Sequence, residues 1–143
     1  MLFRSVFPQG TTATIKDEPS GSATTLTDLV DVNANTRSKA MARIDGLGDT
    51  EEKYKPINKK ALGTVALVFH LTDETIATNQ RTTLETKWAA NQLVTVKVNY
   101  PGSFDNTTAI CTYTGYIESI EDGGSTRDGT DPIRYTVTLR VTS

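Results

Sequence analysis

Apolar and polar side chains alternate strictly along residues 133–142, close to the C-terminus. Such a period of two is typical of a β-strand, because successive side chains of a strand point to opposite faces of its sheet. The apolar positions are Ile133, Tyr135, Val137, Leu139 and Val141. The segment is therefore predicted to be a strand with one buried face and one polar face.

Related patterns predict strands elsewhere in the chain. Residues 61–71 are apolar on both faces, which is typical of a strand that is covered on both sides. Residues 92–100 alternate, and residues 108–121 form a long predicted strand in which Gly115 indicates a bulge or a close backbone contact. Shorter strands are predicted at residues 11–16, 24–32 and 39–45, with a turn at residues 17–22.

One helix is predicted, at residues 73–90, with Trp88 as its anchor against a sheet. The order of strands, one helix and further strands predicts a mostly β fold of the α+β class. We expect two packed antiparallel sheets that form a sandwich or barrel flanked by this helix. At 143 residues the chain is predicted to be one domain, residues 1–143, with an N-terminal arm or hairpin at residues 1–40.

Residues 45–60 show no clear periodicity and are predicted to be a long loop. The segment carries two glycines, a proline and a dense mixture of acidic and basic side chains. Loops of this length within a compact domain are usually functional or disordered. We therefore expect this segment to become ordered on assembly.

The sequence offers little for catalysis or for binding a metal or cofactor. His70 is the single histidine and lies in the most apolar predicted strand, on the face of Ala66 and Val68, with no activated nucleophile nearby in the sequence. Cys111 is the single cysteine, so the chain lacks the usual zinc ligand set. We expect no enzymatic activity, no cofactor and no metal.

Charge and hydropathy narrow the classes of partner. The net charge of −2 argues against tight binding of nucleic acid through its phosphates, which normally needs a basic face. Such a charge is compatible with a surface past which DNA slides. No stretch approaches the roughly 18 apolar residues of a membrane helix, and the first residues lack the apolar run of a signal peptide. A cytosolic origin is the simplest interpretation.

The order of the motifs resembles the tail tube (major tail) proteins of long-tailed bacteriophages over residues 41–143, whereas residues 1–40 match only loosely. The motifs are Gly-Leu-Gly-Asp-Thr-Glu-Glu-Lys-Tyr at 46–54, Leu-Gly-Thr-Val-Ala-Leu at 62–67, Tyr-Thr-Gly-Tyr-Ile-Glu-Ser-Ile-Glu at 113–121 and Tyr-Thr-Val-Thr-Leu-Arg-Val-Thr at 135–142. No single motif is diagnostic, and the resemblance depends on their order.

The resemblance implies a structural virion protein that forms hexameric rings, which stack into a hollow tube for DNA ejection. The implied partners are further copies of the chain and other tail proteins, such as the tape measure and the terminator. DNA would pass through without specific binding, and no membrane is implied. The implied location is the virion tail, and the host cytoplasm before assembly.

The resemblance also suggests residues for the two kinds of contact. By position, residues 45–60 correspond to the loop that reaches the neighbouring ring. The candidate ring-stacking residues are Asp49, Glu51, Glu52, Lys53, Tyr54 and Lys55. The candidate lumen-facing strand residues are Thr112, Thr114, Thr136 and Thr138. A water-filled channel needs such a polar face, although an ordinary solvent-exposed face has the same pattern.

Two other classes of protein fit the same pattern. One is another self-assembling subunit, either a viral coat protein or the tube of a tail-like secretion device. The other is a monomeric β-sandwich that binds a ligand such as a carbohydrate. Aromatic residues make up only 7% of the chain, and the single tryptophan lies on the predicted helix, so the sequence weighs against the binding module.

Overall fold

The computed structural model describes residues 10–71, 79–100 and 110–143. Within these residues the chain forms nine strands and one helix, α1 (Gln80–Ala89), which lies between β6 and β7. The strands are β1 (Thr12–Asp17), β2 (Thr24–Leu26), β3 (Leu29–Val32), β4 (Ser38–Arg43), β5 (Tyr54–Ala61), β6 (Thr64–His70), β7 (Leu93–Asn99), β8 (Ile110–Asp122) and β9 (Arg134–Val141). Parts of the predicted N-terminal arm (1–9), helix (73–78) and long strand (108–109) lie outside the described residues.

Seven strands form one antiparallel sheet in the order β2-β1-β7-β8-β9-β6-β3. The edge strands β2 and β3 are separated in the chain by only Thr27 and Asp28. Since the three Cα–Cα steps from Leu26 to Leu29 span at most about 11 Å, the sheet must curl until its two edges approach each other at this corner. The two edge strands are not paired with each other, so the sheet is not a closed barrel.

The corner itself corrects the prediction of one strand at residues 24–32. Asp28 has a φ of 61°, which ends β2 and lets β3 begin in a new direction. Aspartate tolerates this left-handed conformation better than most residues, because its short polar side chain can bond locally. On the N-terminal side of the corner, β2 pairs antiparallel with β1, with Thr14 opposite Thr25.

The hydrophobic core fills the inside of the curled sheet. Every second residue of β6, β7 and β9 is buried, as their alternation predicts. Phe69 and Tyr135 face each other across β6 and β9, and their rings stack with centroids 5.3 Å apart. The helix contributes Leu84 to the same core. The buried residues of the strands and of the helix therefore form one core cluster, and the helix lies over the inner face of the sheet.

The helix is shorter than the sequence predicts. Asn79 has an extended backbone, and its side chain accepts a hydrogen bond from the Thr82 N–H at 2.8 Å, so the helix begins at Gln80 rather than at residue 73. Its anchor is Leu84, which is 2% exposed, whereas Trp88 is 48% exposed. The expectation that Trp88 anchors the helix was wrong, because Trp88 lies outside the stripe that meets the core.

Three polar contacts fix the ends of the helix to the sheet. Arg81 forms a bidentate ion pair with Asp122 at the end of β8, and this hydrogen bond lowers the pKa of the carboxyl group. Lys87 pairs with Asp17 at the end of β1, with the Nζ and Oδ1 atoms 2.6 Å apart. Gln80 donates to the Tyr135 hydroxyl at 3.0 Å. The helix is thus attached to three different strands.

The main correction concerns residues 45–60, for which the sequence predicts a loop. Residues 44–53 connect two strands, and Tyr54–Ala61 is a strand, β5, that pairs with β4. We call the pair β4–β5 with its connection the ribbon. All eight residues of β5 are exposed, so neither face is buried and no period of two marks the strand in the sequence. Pro56 is tolerated because β5 lies at an edge.

The predicted fold class is confirmed as mostly β with one helix. The two sheets are a large antiparallel sheet and the two-stranded ribbon. The predicted close contact at Gly115 is also present, since a Cβ atom there would lie 1.9 Å from the carbonyl oxygen of Arg140 on β9.

Candidate assembly surfaces

The four predicted lumen-facing threonines lie on one face of the sheet. Thr112 and Thr114 are on β8, and Thr136 and Thr138 are on β9. Their neighbours along each strand, such as Val137, point into the core. The threonines therefore share the convex, outer face of the curled sheet. The structure brings them together as a surface, while their orientation relative to a tube axis stays a prediction.

Further threonines extend this surface across the sheet. By alternation with the buried residues Ala13 and Ile15, Thr12 and Thr14 of β1 point outward. Thr95 of β7 faces Thr114 on this side of the sheet, and their hydroxyl oxygens are 3.0 Å apart. Thr95 itself is buried, and its hydroxyl donates to the Glu18 carboxylate at 2.7 Å. We call these outward residues of β1, β7, β8 and β9 the threonine face. Sequence reasoning missed its β1 and β7 members, although the alternation of those strands contains the signal.

Charges on the threonine face are mixed rather than of one sign. Lys97 lies on β7, and Arg140 on β9 forms an ion pair with Glu118, with the Nη2 and Oε1 atoms 2.7 Å apart. Lys16 lies 3.7 Å from Glu18. Such exposed pairs contribute little stability. They do, however, reduce the positive potential that a row of unpaired cations would create toward a polyanion.

The predicted ring-stacking residues lie at the distal end of the ribbon, in its connection and at the start of β5. Asp49 accepts a hydrogen bond from the Gly46 N–H at 2.7 Å and lies 3.7 Å from the Lys53 ammonium group. The Tyr54 hydroxyl donates to Glu52 at 2.9 Å. Four of the six predicted residues are thus joined by short contacts within the connection. The remaining two, Glu51 and Lys55, are exposed to solvent.

Arg43, at the end of β4, holds the base of this connection. Its Nε–H donates to Asp45 at 2.6 Å, and its Nη1 atom lies 3.6 Å from Glu52. The bond from Arg43 lowers the pKa of Asp45. These contacts are exposed to solvent and screened, so we assign them to local order rather than to the stability of the domain.

Large apolar side chains are exposed along the same ribbon. They are Met41, Ile44, Leu47, Tyr54 and Ile57, and Leu47 at the turn is fully exposed. A two-stranded hairpin is marginally stable on its own in water, and a concentration of exposed apolar side chains often marks a surface of interaction. Sequence reasoning named Tyr54 as a candidate contact residue but missed the other four, Met41, Ile44, Leu47 and Ile57.

The described residues offer no evident catalytic or metal-binding arrangement. His70 lies on β6, opposite Arg134 on β9 and on the same face as Ala66 and Val68, as the alternation predicts. Across residues 10–71, 79–100 and 110–143 there is no cluster of His, Cys, Asp and Glu side chains that could hold a metal ion. In the same part of the chain, no helix is both long enough and apolar enough to cross a membrane.

Comparison with known proteins identifies the fold. No family model and no curated protein matches the sequence. Among solved structures, a chain of the anti-feeding prophage baseplate is similar with a TM-score of 0.71 and 9% identity, over 100% of this chain and 95% of that one. The SPP1 tail tube protein is similar with a TM-score of 0.67 and 11% identity, over 96% and 76%. A type six secretion system protein has a TM-score of 0.50 and 12% identity, over 91% and 78%.

These likenesses define the class of fold. The chain has the fold shared by a phage tail tube protein, a baseplate chain and a type six secretion protein. The predicted resemblance to tail tube proteins is confirmed at the level of fold. At these low identities, the likeness carries no information on individual residues.

Proposed function

We propose that this chain is a structural subunit of a phage tail tube, which assembles into stacked rings around a channel for DNA. The observation that carries the proposal is the similarity to the SPP1 tail tube protein, which extends over 96% of this chain. The proposed role needs no catalytic site, cofactor or metal. The proposed partners are identical subunits and other tail proteins, such as the tape measure and terminator, in the virion tail and beforehand in the host cytoplasm.

The open sheet supports ring formation. Among the strands of residues 10–71, 79–100 and 110–143, the edge strands β2 and β3 each pair with one neighbour, so the other side of each can offer backbone groups to a strand of another molecule. Pairing one edge of a subunit with the opposite edge of the next is a head-to-tail contact, and such contacts close into a ring when the rotation per subunit allows it. We propose six subunits by resemblance to the family.

The threonine face supports a role as the channel wall. Hydroxyl groups are well hydrated and uncharged, and the charges nearby are partly paired as Arg140 with Glu118 and Lys16 with Glu18. Affinity for DNA rises steeply with the number of phosphates that are neutralised by lysine and arginine. A wall with this composition would hold DNA weakly and let it slide.

The ribbon supports stacking of one ring on the next. It exposes apolar side chains, and its predicted ring-stacking residues lie at its distal end. Docking on an adjacent ring would bury these side chains and remove the cost of leaving them in water. The ribbon, rather than a disordered loop, is therefore the proposed inter-ring contact.

A shortened ribbon tests this assignment. Arg43 faces Tyr54, so an Asn-Gly turn in place of residues 44–53 can join β4 to β5 without changing their register. We expect the variant to melt within about 2 °C of the wild type, because exposed residues contribute little to stability. The wild type should form tubes in negative-stain electron microscopy, and the variant should form only single rings. Normal tubes from the variant would exclude the ribbon tip from stacking.

The same experiment separates the proposal from its alternatives. A wild type that stays monomeric in sedimentation at millimolar concentration would favour a binding module, and closed shells would favour a coat protein. The likeness to the anti-feeding prophage baseplate chain supports a second candidate, a subunit of a tail-like device that contributes to a baseplate. Wild-type rings that never stack would favour that candidate over a tube subunit.

A further inference from the structure

The ribbon continues the β3–β6 pair of the large sheet in the same register. Val32 faces Leu67 within the sheet. Ser38 lies six residues after Val32, and it faces Ala61, which lies six residues before Leu67. Between these two pairs, residues 33–37 and 62–63 belong to no strand. We call these two segments the junction, and the direction of the ribbon relative to the sheet is set there.

The Asn35 side chain bridges the junction where the backbone ladder is interrupted. Its Nδ2 group donates to the carbonyl oxygen of Leu62 at 2.9 Å and to that of Thr64 at 3.1 Å, and both bonds are partly buried. A carboxamide nitrogen carries two donor hydrogens, and here both are directed to the opposite segment. The main chain also bonds here, from the Asn33 N–H to the Ala66 carbonyl at 2.9 Å, and the Asn35 side chain adds two further donors beyond it.

Gly63 allows the two segments of the junction to approach closely. Its φ is +71°, and a Cβ atom there would lie 2.3 Å from the carbonyl oxygen of Thr36. Both the conformation and the short distance exclude a residue with a side chain unless the backbone shifts. The Gly63 carbonyl also accepts a hydrogen bond from the Val141 N–H at 3.1 Å, which ties the junction to the end of β9.

We propose that Asn35 and Gly63 lock the direction of the ribbon, and that this fixed direction is required for rings to stack. The inference rests on the proposed function, which assigns stacking to the ribbon. The six residues of β4 span about 20 Å at 3.3 Å per residue. A bend of about 20° at the junction, comparable to the ordinary twist between strands, would move the far end of β4 by about 7 Å. That exceeds the reach of a van der Waals contact, about 4 Å.

Pulsed electron paramagnetic resonance can measure this direction in the unassembled protein. Spin labels at Lys55→Cys on the ribbon and Thr86→Cys on the helix, in a Cys111→Ser background, report the distance between ribbon and body. Asn35→Ala removes the bridging amide, and Asn35→Asp keeps its shape without the donors. Asn33→Ala is the matched control, because Asn33 is an exposed asparagine two residues away.

We expect a narrow distance distribution for the parent and for Asn33→Ala, and a distribution at least twice as wide for both Asn35 variants. Without spin labels, the Asn35 variants should form tubes only at a protein concentration about tenfold higher than the wild type needs, because two hydrogen bonds are lost. Gly63→Ala should shift the mean distance, because the clash displaces the ribbon to a new direction.

The outcomes separate the lock from the proposed function. An unchanged distance distribution in Asn35→Ala would overturn the lock and leave the proposed function untouched. A widened distribution with tube formation at the wild-type concentration would overturn the requirement for a fixed direction. Normal stacking by the variant with the Asn-Gly turn would instead refute the assignment of stacking to the ribbon, whatever the distance measurements give.

Discussion

Replacing Gly115 with alanine should weaken the domain, because this position leaves no room for a side chain. Gly115 lies in β8 opposite Val141 of β9. An added Cβ atom would lie 1.9 Å from the Arg140 carbonyl oxygen and 2.8 Å from its carbonyl carbon. Both are backbone atoms, so no rotation of a side chain relieves the contact. The two strands must separate locally.

The size of the effect follows from the bonds that this separation disturbs. An ordinary Cβ contact starts at 3.4 Å, so the strands must part by about 1.5 Å at the oxygen atom. The Thr142 N–H donates to the Thr114 carbonyl at 2.7 Å, and the Thr114 N–H donates to the Ser143 carbonyl at 3.1 Å. Losing these two bonds and part of the nearby packing corresponds to about 2–4 kcal/mol.

Urea unfolding followed by far-ultraviolet circular dichroism measures this loss, at a protein concentration at which no rings form. Gly124→Ala is the matched control, because no atom lies within 4 Å of a Cβ placed there. The control should change the free energy of unfolding by less than about 0.5 kcal/mol. If Gly115→Ala proves as stable as Gly124→Ala, the close contact between β8 and β9 does not exist in solution.

Two further predictions concern the helix. Leu84→Ala should lower the free energy of unfolding by about 2–5 kcal/mol, as expected for a leucine that is 2% exposed. Trp88→Ala should lower it by clearly less, and a larger effect at Trp88 than at Leu84 in urea unfolding would refute the assignment of Leu84 as the anchor. Because Arg81 lowers the pKa of Asp122, this ion pair stabilises the protein above the ordinary aspartate pKa of 3.8, and the contribution disappears as the pH falls below that value. Asp122→Asn should therefore cost under about 1 kcal/mol at pH 7, since the pair is exposed, and progressively less as the pH falls from 3.8 through the lowered pKa of the folded protein. A cost that does not fall with pH would contradict the ion pair as its cause.

The sequence predicts those elements that have one buried face. In β6 and β9, alternate residues such as Leu67 and Val137 are buried, so the burial of the strand is visible as a period of two. The same reasoning predicted that the four threonines share a face, because each follows or precedes a residue that is buried in the core or packed against it. The helix was predicted in kind, but not its start at Gln80, since the cap at Asn79 depends on where the backbone turns.

Elements without a buried face escape this reasoning. The strand β5 has no buried residue, so its pairing with β4 leaves no trace in the hydrophobic pattern. The connection of β2 to β3 across opposite edges of the sheet is equally invisible, because it depends on the curl of the whole sheet and on the conformation of Asp28. The Asn35 contacts join residues 27 and 29 positions apart, and a single sequence does not show which distant backbone groups lack a partner.

The two-residue corner between β2 and β3 has a consequence for the proposed pairing of edge strands between subunits. Gln80 holds this corner from the helix: its carboxamide accepts from the Thr27 N–H at 2.7 Å and donates to the Thr27 carbonyl at 3.2 Å. The edge strands β2 and β3 are thereby held at a set spacing within the single molecule. A subunit that pairs with either edge strand, as proposed, would meet a strand that is already in place. Little conformational entropy would therefore be lost on binding.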